Sequence, residues 1–218
     1  MRRGLPLLLN ELLWVLAITT RNQCYSTRGL DALAATSISS TVQNVFNTVY
    51  MALGSSIAII VGNKLGAGSI EDAKDTSRKM TLLAVGIATV VGTALAIASP
   101  YVSYLYEVND SVHELTAYML LVSAAYMPAY AFINSAYFTV RSGGRVYLTM
   151  LLDSFFMWAV IIPISAGVAY LTGLNIRVLF LLGQGAELLK IPVSALVLKK
   201  TNWARRFIQT NIENGASW

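Results

Sequence analysis

Four ionisable side chains fall inside long apolar runs of this sequence: Glu11, Asp153, Glu187 and Lys190. Charge at bilayer depth is expensive and marks ion or substrate paths. Glu11 stands beside Asn10 and has no cation within one helical turn of its own segment, so it is a natural carrier of a proton or a metal cation. Glu187 and Lys190 are three residues apart, hence on one helical face, where they can form an internal ion pair. Asp153 lies about 12 Å of helix rise from Arg145, near an interface or opposite a neighbouring helix. A row of polar residues accompanies them: Thr36, Ser40, Gln43, Asn47 and Tyr50, continued by Gly54. Spacings of four and three align this row along one stripe of a helix. Such a stripe faces other helices or a wet cavity, and the bulk of Gln43 and Asn47 favours the cavity.

The elements that hold these residues must be membrane spans. Of 218 residues, 56% are hydrophobic and 12% charged, against about 25% charged in soluble domains. Mean hydropathy is +0.59. Six apolar segments are read at about 5–20, 32–62, 80–98, 115–140, 146–171 and 177–198; a span requires ~20 residues, and the second, longer than a bilayer needs, is expected to tilt or protrude into water. All are expected to be helices, because open strands cannot satisfy their backbone in lipid. The third is expected to stop at Ser99-Pro100. Ser69 and Asp72 resemble a capping box opening a short charged surface helix that leads into it. Gly66-Ala67-Gly68 is expected to end the second helix and turn the chain. Pro128, Pro163 and Pro192 fall within spans and permit kinks.

The formal charge of +5 does not point to nucleic acid, because the cations are dispersed. Twelve fall between or beyond segments on one side: Arg2, Arg3, Lys64, Lys74, Arg78, Lys79, Arg141, Arg145, Lys199, Lys200, Arg205 and Arg206. Three fall on the other: Arg21, Arg28 and Arg177. This positive-inside bias places both termini in the cytoplasm. The apolar N-terminal run, interrupted by Glu11 and lacking a small-residue cleavage site, reads as a retained helix rather than a signal peptide.

Other chemistries are absent from the sequence. One cysteine, Cys24, allows no internal disulfide or cysteine cluster, and His113 is the sole histidine. No phosphate-binding glycine loop, His-Glu-x-x-His or Gly-x-Ser-x-Gly motif occurs, so neither an ATP motor nor an enzyme with catalytic residues is expected. No selectivity-filter loop suggests a channel.

Three stretches carry a resemblance. "LPLLLNELLW" from Leu5, the long run from Ala32 to the Val-Gly-x-x-Leu-Gly-Ala-Gly of residues 61–68, and Arg141-Ser-Gly-Gly followed by "LLDSFFMW" resemble the C-terminal lobe of the multidrug and toxic compound extrusion (MATE) family. The resemblance implies an all-α membrane protein, one six-helix lobe of a twelve-helix transporter. It implies antiport of organic, often cationic or amphipathic, compounds against Na⁺ or H⁺ by alternating access, with no other cofactor. Glu11 matches a cation-binding carboxylate on the lobe's first helix and would hold Na⁺ or a proton, with Asp153 as a second coupling candidate. Asn10, Gln43, Asn47, Tyr50, Tyr130 and Asn134 would line the substrate cavity. Tyr126, Tyr130 and Asn134 occupy the region where the family carries a second carboxylate, and Arg145 stands where its signature often has Asp. Residues 1–200 would form the lobe and 201–218 a cytoplasmic tail, in the plasma (inner) membrane. Such a lobe needs an N-terminal half or a second copy; the alternative is an isolated lobe without transport activity of its own.

Overall fold

The computed structural model describes residues 4–144 and 146–200. Among these residues there are six helices and no strand. Helix α1 is Gly4–Ser26, α2 Leu30–Gly66, α3 Ile70–Ser103 and α4 Asp110–Ser142. Helix α5 runs through Val146–Met150, two wide π turns (Leu151–Phe155 and Met157–Ile161) and Ile162–Leu171. Helix α6 runs through Ile176–Gly185, a tight 3₁₀ turn Ala186–Leu189 and Lys190–Lys200. Helices α2 to α6 are each long and apolar enough to cross a membrane. The tail 201–218 and the cations Arg2, Arg3, Arg145, Arg205 and Arg206 lie outside the described residues.

Several boundaries differ from the sequence reading. Helix α1 continues past Thr20 to Ser26, so Arg21 belongs to a helix and not to an outer loop. No separate surface helix precedes the third span: the charged turn of Glu71 and Asp72 is the start of α3 itself. Ser69 occupies the cap position without a side-chain hydrogen bond, so the capping box does not form. Ser99-Pro100 does not stop α3, which runs to Ser103. Near a helix end a proline removes little, since few turns remain to be broken. Helix α2, with 37 residues, is about 55 Å long and outreaches the hydrocarbon layer. It ends at Gly66, and Gly68 takes φ +79°, a left-handed geometry that glycine tolerates. Gly144, with φ +73°, closes the turn after α4 in the same way. Asn109 and Asn175 cap α4 and α6 by accepting hydrogen bonds from the backbone N–H groups of Val112 and Arg177.

Helices α2, α3 and α4 pack tightly together, and α1, α5 and α6 form a second, looser group against α2 and α4. The first group is held close by small residues. The buried stripe of α3 reads Ala73, Ser77, Thr81, Ala84, Ala88, Gly92, Leu95, Ser99 and Ser103. Spacings of four and three keep the stripe on one face, and small side chains let backbones approach where lipid offers no hydrophobic drive. The Ser77 and Thr139 hydroxyls bond across α3 and α4 at 2.9 Å. At Gly92 the approach is limiting: a Cβ there would lie 2.8 Å from the Ala124 carbonyl oxygen. That carbonyl is the one left without its helical donor by Pro128, four residues on. Large apolar side chains such as Leu82, Val90, Ile97 and Phe155 point outward, as a lipid-facing surface requires.

The second group is irregular for a local reason. Pro163 follows the π turns of α5, and Pro192 follows the 3₁₀ turn of α6. Each ring clashes with the carbonyl four residues earlier, and widening or tightening the preceding turn relieves the clash. Asp153 lies in the first π turn and Glu187 in the 3₁₀ turn.

The fit at Gly92 gives a direct test. Gly92→Ala should lower the melting temperature of the detergent-purified protein by an amount equivalent to about 1–3 kcal/mol of overpacking. Gly86→Ala, on the same helix with open space around it, should be neutral or slightly stabilising. Equal melting temperatures for the two variants would refute the close packing of α3 on α4.

Candidate functional site

The two helix groups leave a polar cleft between them, formed of two adjoining cavities. The first, about 250 Å³, is lined on α2 by Ser40, Gln43, Asn44, Asn47 and Tyr50, on α1 by Trp14 and Arg21, and on α4 and α6 by Tyr130, Gln184 and Glu187. The second, about 190 Å³, is lined by Glu11, Asn134, Arg141, Asp153, Lys190 and Ser194, among others. Trp14, Tyr50, Tyr130 and Glu187 line both and form the wall between them.

The α2 stripe therefore divides by function. Ser40, Gln43, Asn47 and Tyr50 border the first cavity. Thr36 does not: it is buried, donates to the Ala32 carbonyl at 2.7 Å and abuts the Met119 sulfur. Gly54 marks a helix crossing, where a Cβ would collide with Asn134 and the Phe138 ring.

Within the cleft the two ion pairs run across helices rather than along them. The ion pair expected between Glu187 and Lys190 is not formed; Glu187 pairs with Arg21 of α1. The cause is the length of α1, which carries Arg21 to the depth of Glu187. Both side chains are largely buried, at 13% and 16% exposure, so their neutralisation is a condition of folding. Tyr130 donates to the Gln184 side-chain oxygen at 2.7 Å, bracing the same turn of α6 against α4.

Glu11 is not without a cation. Its carboxylate lies 3.8 Å from the Arg141 guanidinium, which the end of α4 brings alongside α1. The contact is loose, and Glu11 remains half exposed. Arg141 also donates to the Tyr137 hydroxyl at 3.4 Å and lies over the Tyr137 and Phe138 rings.

Asn10 does not line the cleft; it is 1% exposed. Its amide donates to the Asp153 carboxylate at 3.1 Å, while Ser154 donates towards the Asn10 side-chain and backbone oxygens at 2.7 and 2.8 Å. Asn10 is thus the tie that holds α1 to the π turn of α5 and orients Asp153. Glu11, Asp153 and the side-chain oxygen of Asn134, buried and without a hydrogen-bond partner among the described residues, are the oxygens this cavity offers a cation.

Sequence reasoning missed Arg21, Gln184, Ser154 and Arg141 as site residues. Arg21 was hidden by the end of the apolar run at Thr20, although Cys24 and Tyr25 beyond it are buried. Arg141 follows the apolar run that ends at Val140, so hydropathy leaves it just outside the fourth span.

Comparison with known proteins agrees with this architecture. The family model described as MatE matches residues 6–166. The fold is similar to that of a MOP superfamily transporter from Pyrococcus furiosus, described as having a binding pocket of reverse polarity (TM-score 0.78, 18% identity, 90% of this chain and 42% of that one). It is similar to a MATE protein crystallised with MaD5 (TM-score 0.79, 17% identity, 94% and 46%). It is also similar to an outward-facing multidrug resistance MATE family transporter (TM-score 0.74, 18% identity, 93% and 45%). The chain spans less than half the length of each of these structures.

The buried pair can be dissected by a mutant cycle. Arg21→Met or Glu187→Gln alone should destabilise the protein by about 3 kcal/mol, by stranding the other partner. The double variant should recover much of that loss, read as melting temperature in detergent. Strict additivity of the two single losses would show that the pair is not coupled.

Proposed function

The chain belongs to the MatE family, and on that premise we propose that it is a six-helix lobe of a cation-coupled antiporter that moves drugs or other organic compounds by alternating access. In this reading α1 joins α2 to α6 as a sixth span, both termini are cytoplasmic, and the protein resides in the plasma (inner) membrane. Residues 1–200 make the lobe, and 201–218 a cytoplasmic tail. The substrate occupies the cleft lined by Gln43, Asn47, Tyr50, Tyr130 and Asn134. Glu11 and Asp153 carry the coupling H⁺ or Na⁺.

The observation that carries this reading is the polar face of α2 beside an apolar outer surface. Ser37, Thr41, Asn44 and Thr48 are exposed and follow one another at four, three and four residues beside the cavity-lining stripe, with Asn44 itself at the cavity's edge. The serine and threonine hydroxyls can satisfy themselves on their own helix, as those of Thr41 and Thr48 do. The amide of Asn44 cannot be left to lipid. That face belongs against water or a second lobe, which an N-terminal half or a second copy would supply. Loss of transport by the chain expressed alone would favour the reading as a lobe inactive by itself.

Alternating access also needs elements that bend. The π turns and proline of α5, and the 3₁₀ turn and proline of α6, supply them where the ionisable residues sit.

Two measurements test the proposal. In the assembled transporter Glu11→Gln should lower cation-driven efflux by at least about tenfold, because a neutral amide can neither release a proton nor attract Na⁺. Unchanged efflux would remove Glu11 from the coupling role. In membranes, Asn44→Cys should crosslink to the covering lobe, whereas Leu82→Cys, on the outward face of α3, should not. Equal labelling of both by lipid-soluble reagents, without crosslinks, would mean that the α2 face is uncovered.

A further inference from the structure

One cation in the cleft is not accounted for by the pairs described above. Lys190 is 4% exposed and lines the second cavity. It makes no hydrogen bond or ion pair among the described residues. The carboxylates nearby are otherwise engaged: Glu187 pairs with Arg21, and Glu11 faces Arg141. Asp153 lines the same cavity but stands beyond ion-pair distance of Lys190 and accepts from Asn10. One turn along α6, Ser194 is 1% exposed, lines the same cavity and leaves its hydroxyl without a hydrogen bond among the described residues. The spacing of four puts Lys190 and Ser194 on one helical face. A buried ammonium with no bonded counter-ion is costly, and an ammionium beside a free hydroxyl is a donor set for an acidic oxygen pair.

Resting on the transport reading, we propose that Lys190 and Ser194 form the docking point for an acidic group of the transported compound, a carboxylate or a phosphate. The substrate class is thereby an organic anion or a zwitterion, in contrast to the organic cations that the family resemblance implies. The charge inventory of the cleft agrees. Three cations, Arg21, Arg141 and Lys190, stand against three carboxylates, Glu11, Asp153 and Glu187. The described wall of the cleft thus carries no net charge, which suits a zwitterion better than an organic cation. The half-exposed Glu11 lines the same cavity and, when it does not hold the coupling cation, offers a carboxylate to the positive end of a zwitterion.

Binding to the purified full chain in detergent separates this proposal from transport. Benzoate serves as the anionic probe and tetraphenylphosphonium as the cationic one, both titrated by calorimetry. Benzoate should bind, and Lys190→Met should weaken it about tenfold or more, the scale of a charge-assisted hydrogen bond. Lys190→Arg should keep binding within about threefold, and Ser194→Ala should weaken it by about threefold. Tetraphenylphosphonium binding should be unchanged in Lys190→Met. Wild-type benzoate affinity in Lys190→Met would overturn the proposal, as would binding of tetraphenylphosphonium without benzoate. If Lys190→Met fails to fold, Ser194→Ala and Lys190→Arg decide by the same readings. Failure of efflux with benzoate binding intact would count against the transport reading alone.

Discussion

The Arg21–Glu187 pair is the contact on which the arrangement of the cleft depends. It joins the first helix of the lobe to the last through two largely buried side chains, at 13% and 16% exposure. Because breaking such a pair leaves a stranded charge, α1 and α6 are obliged to stay in register. Gln184, one turn of 3₁₀ helix away, is at the same time fixed by Tyr130 of α4. The wall between the two cavities is built from Glu187 and Tyr130 together with Tyr50 and Trp14. The pair therefore determines the shape of the cleft as well as its charge.

A consistent logic runs through the other polar contacts. In lipid an unsatisfied donor or acceptor has no solvent to fall back on, so many hydroxyls bond within their own helix and several of the longer polar side chains are met from another helix. Asn10 meets Asp153, Ser77 meets Thr139, and Tyr130 meets Gln184. The apolar residues supply bulk and small-residue fit, but they do not say which helix lies beside which. That information resides in the polar pairs.

This is also why the fold was more legible in the sequence than the site. The apolar runs and the polar stripe of α2 are periodic, and periodicity survives in a single chain. The helix count, the turn at Gly68 and the position of Gln43, Asn47 and Tyr50 beside a cavity all follow from it. Cross-helix partners leave no such trace. Glu187 had a cation three residues away in sequence, yet it meets one 166 residues distant. The resemblance implied that Asn10 lines the cavity beside Glu11, but adjacent residues on a helix point about 100° apart. One faces the cleft and the other the π turn of α5. Helix ends were misread where hydropathy changed before the helix did, at Thr20 and at Ser99-Pro100.

The placement of irregular turns connects these contacts to movement. Among the ionisable residues of the cleft, Asp153 and Glu187 lie in non-α turns, each upstream of a proline. A regular helix resists a change of register because every carbonyl is already bonded one turn on. A π or 3₁₀ turn has part of that ladder reassigned, so passing to the α pattern exchanges one hydrogen bond for another rather than losing one. Such an exchange turns the side chains it carries by tens of degrees. Asp153 and Glu187 would then part from Asn10 and Arg21 without the rest of α5 or α6 unfolding. The tight α2–α3–α4 group, held by the Gly92 contact and the small-residue stripe, offers the fixed surface against which that rearrangement would work.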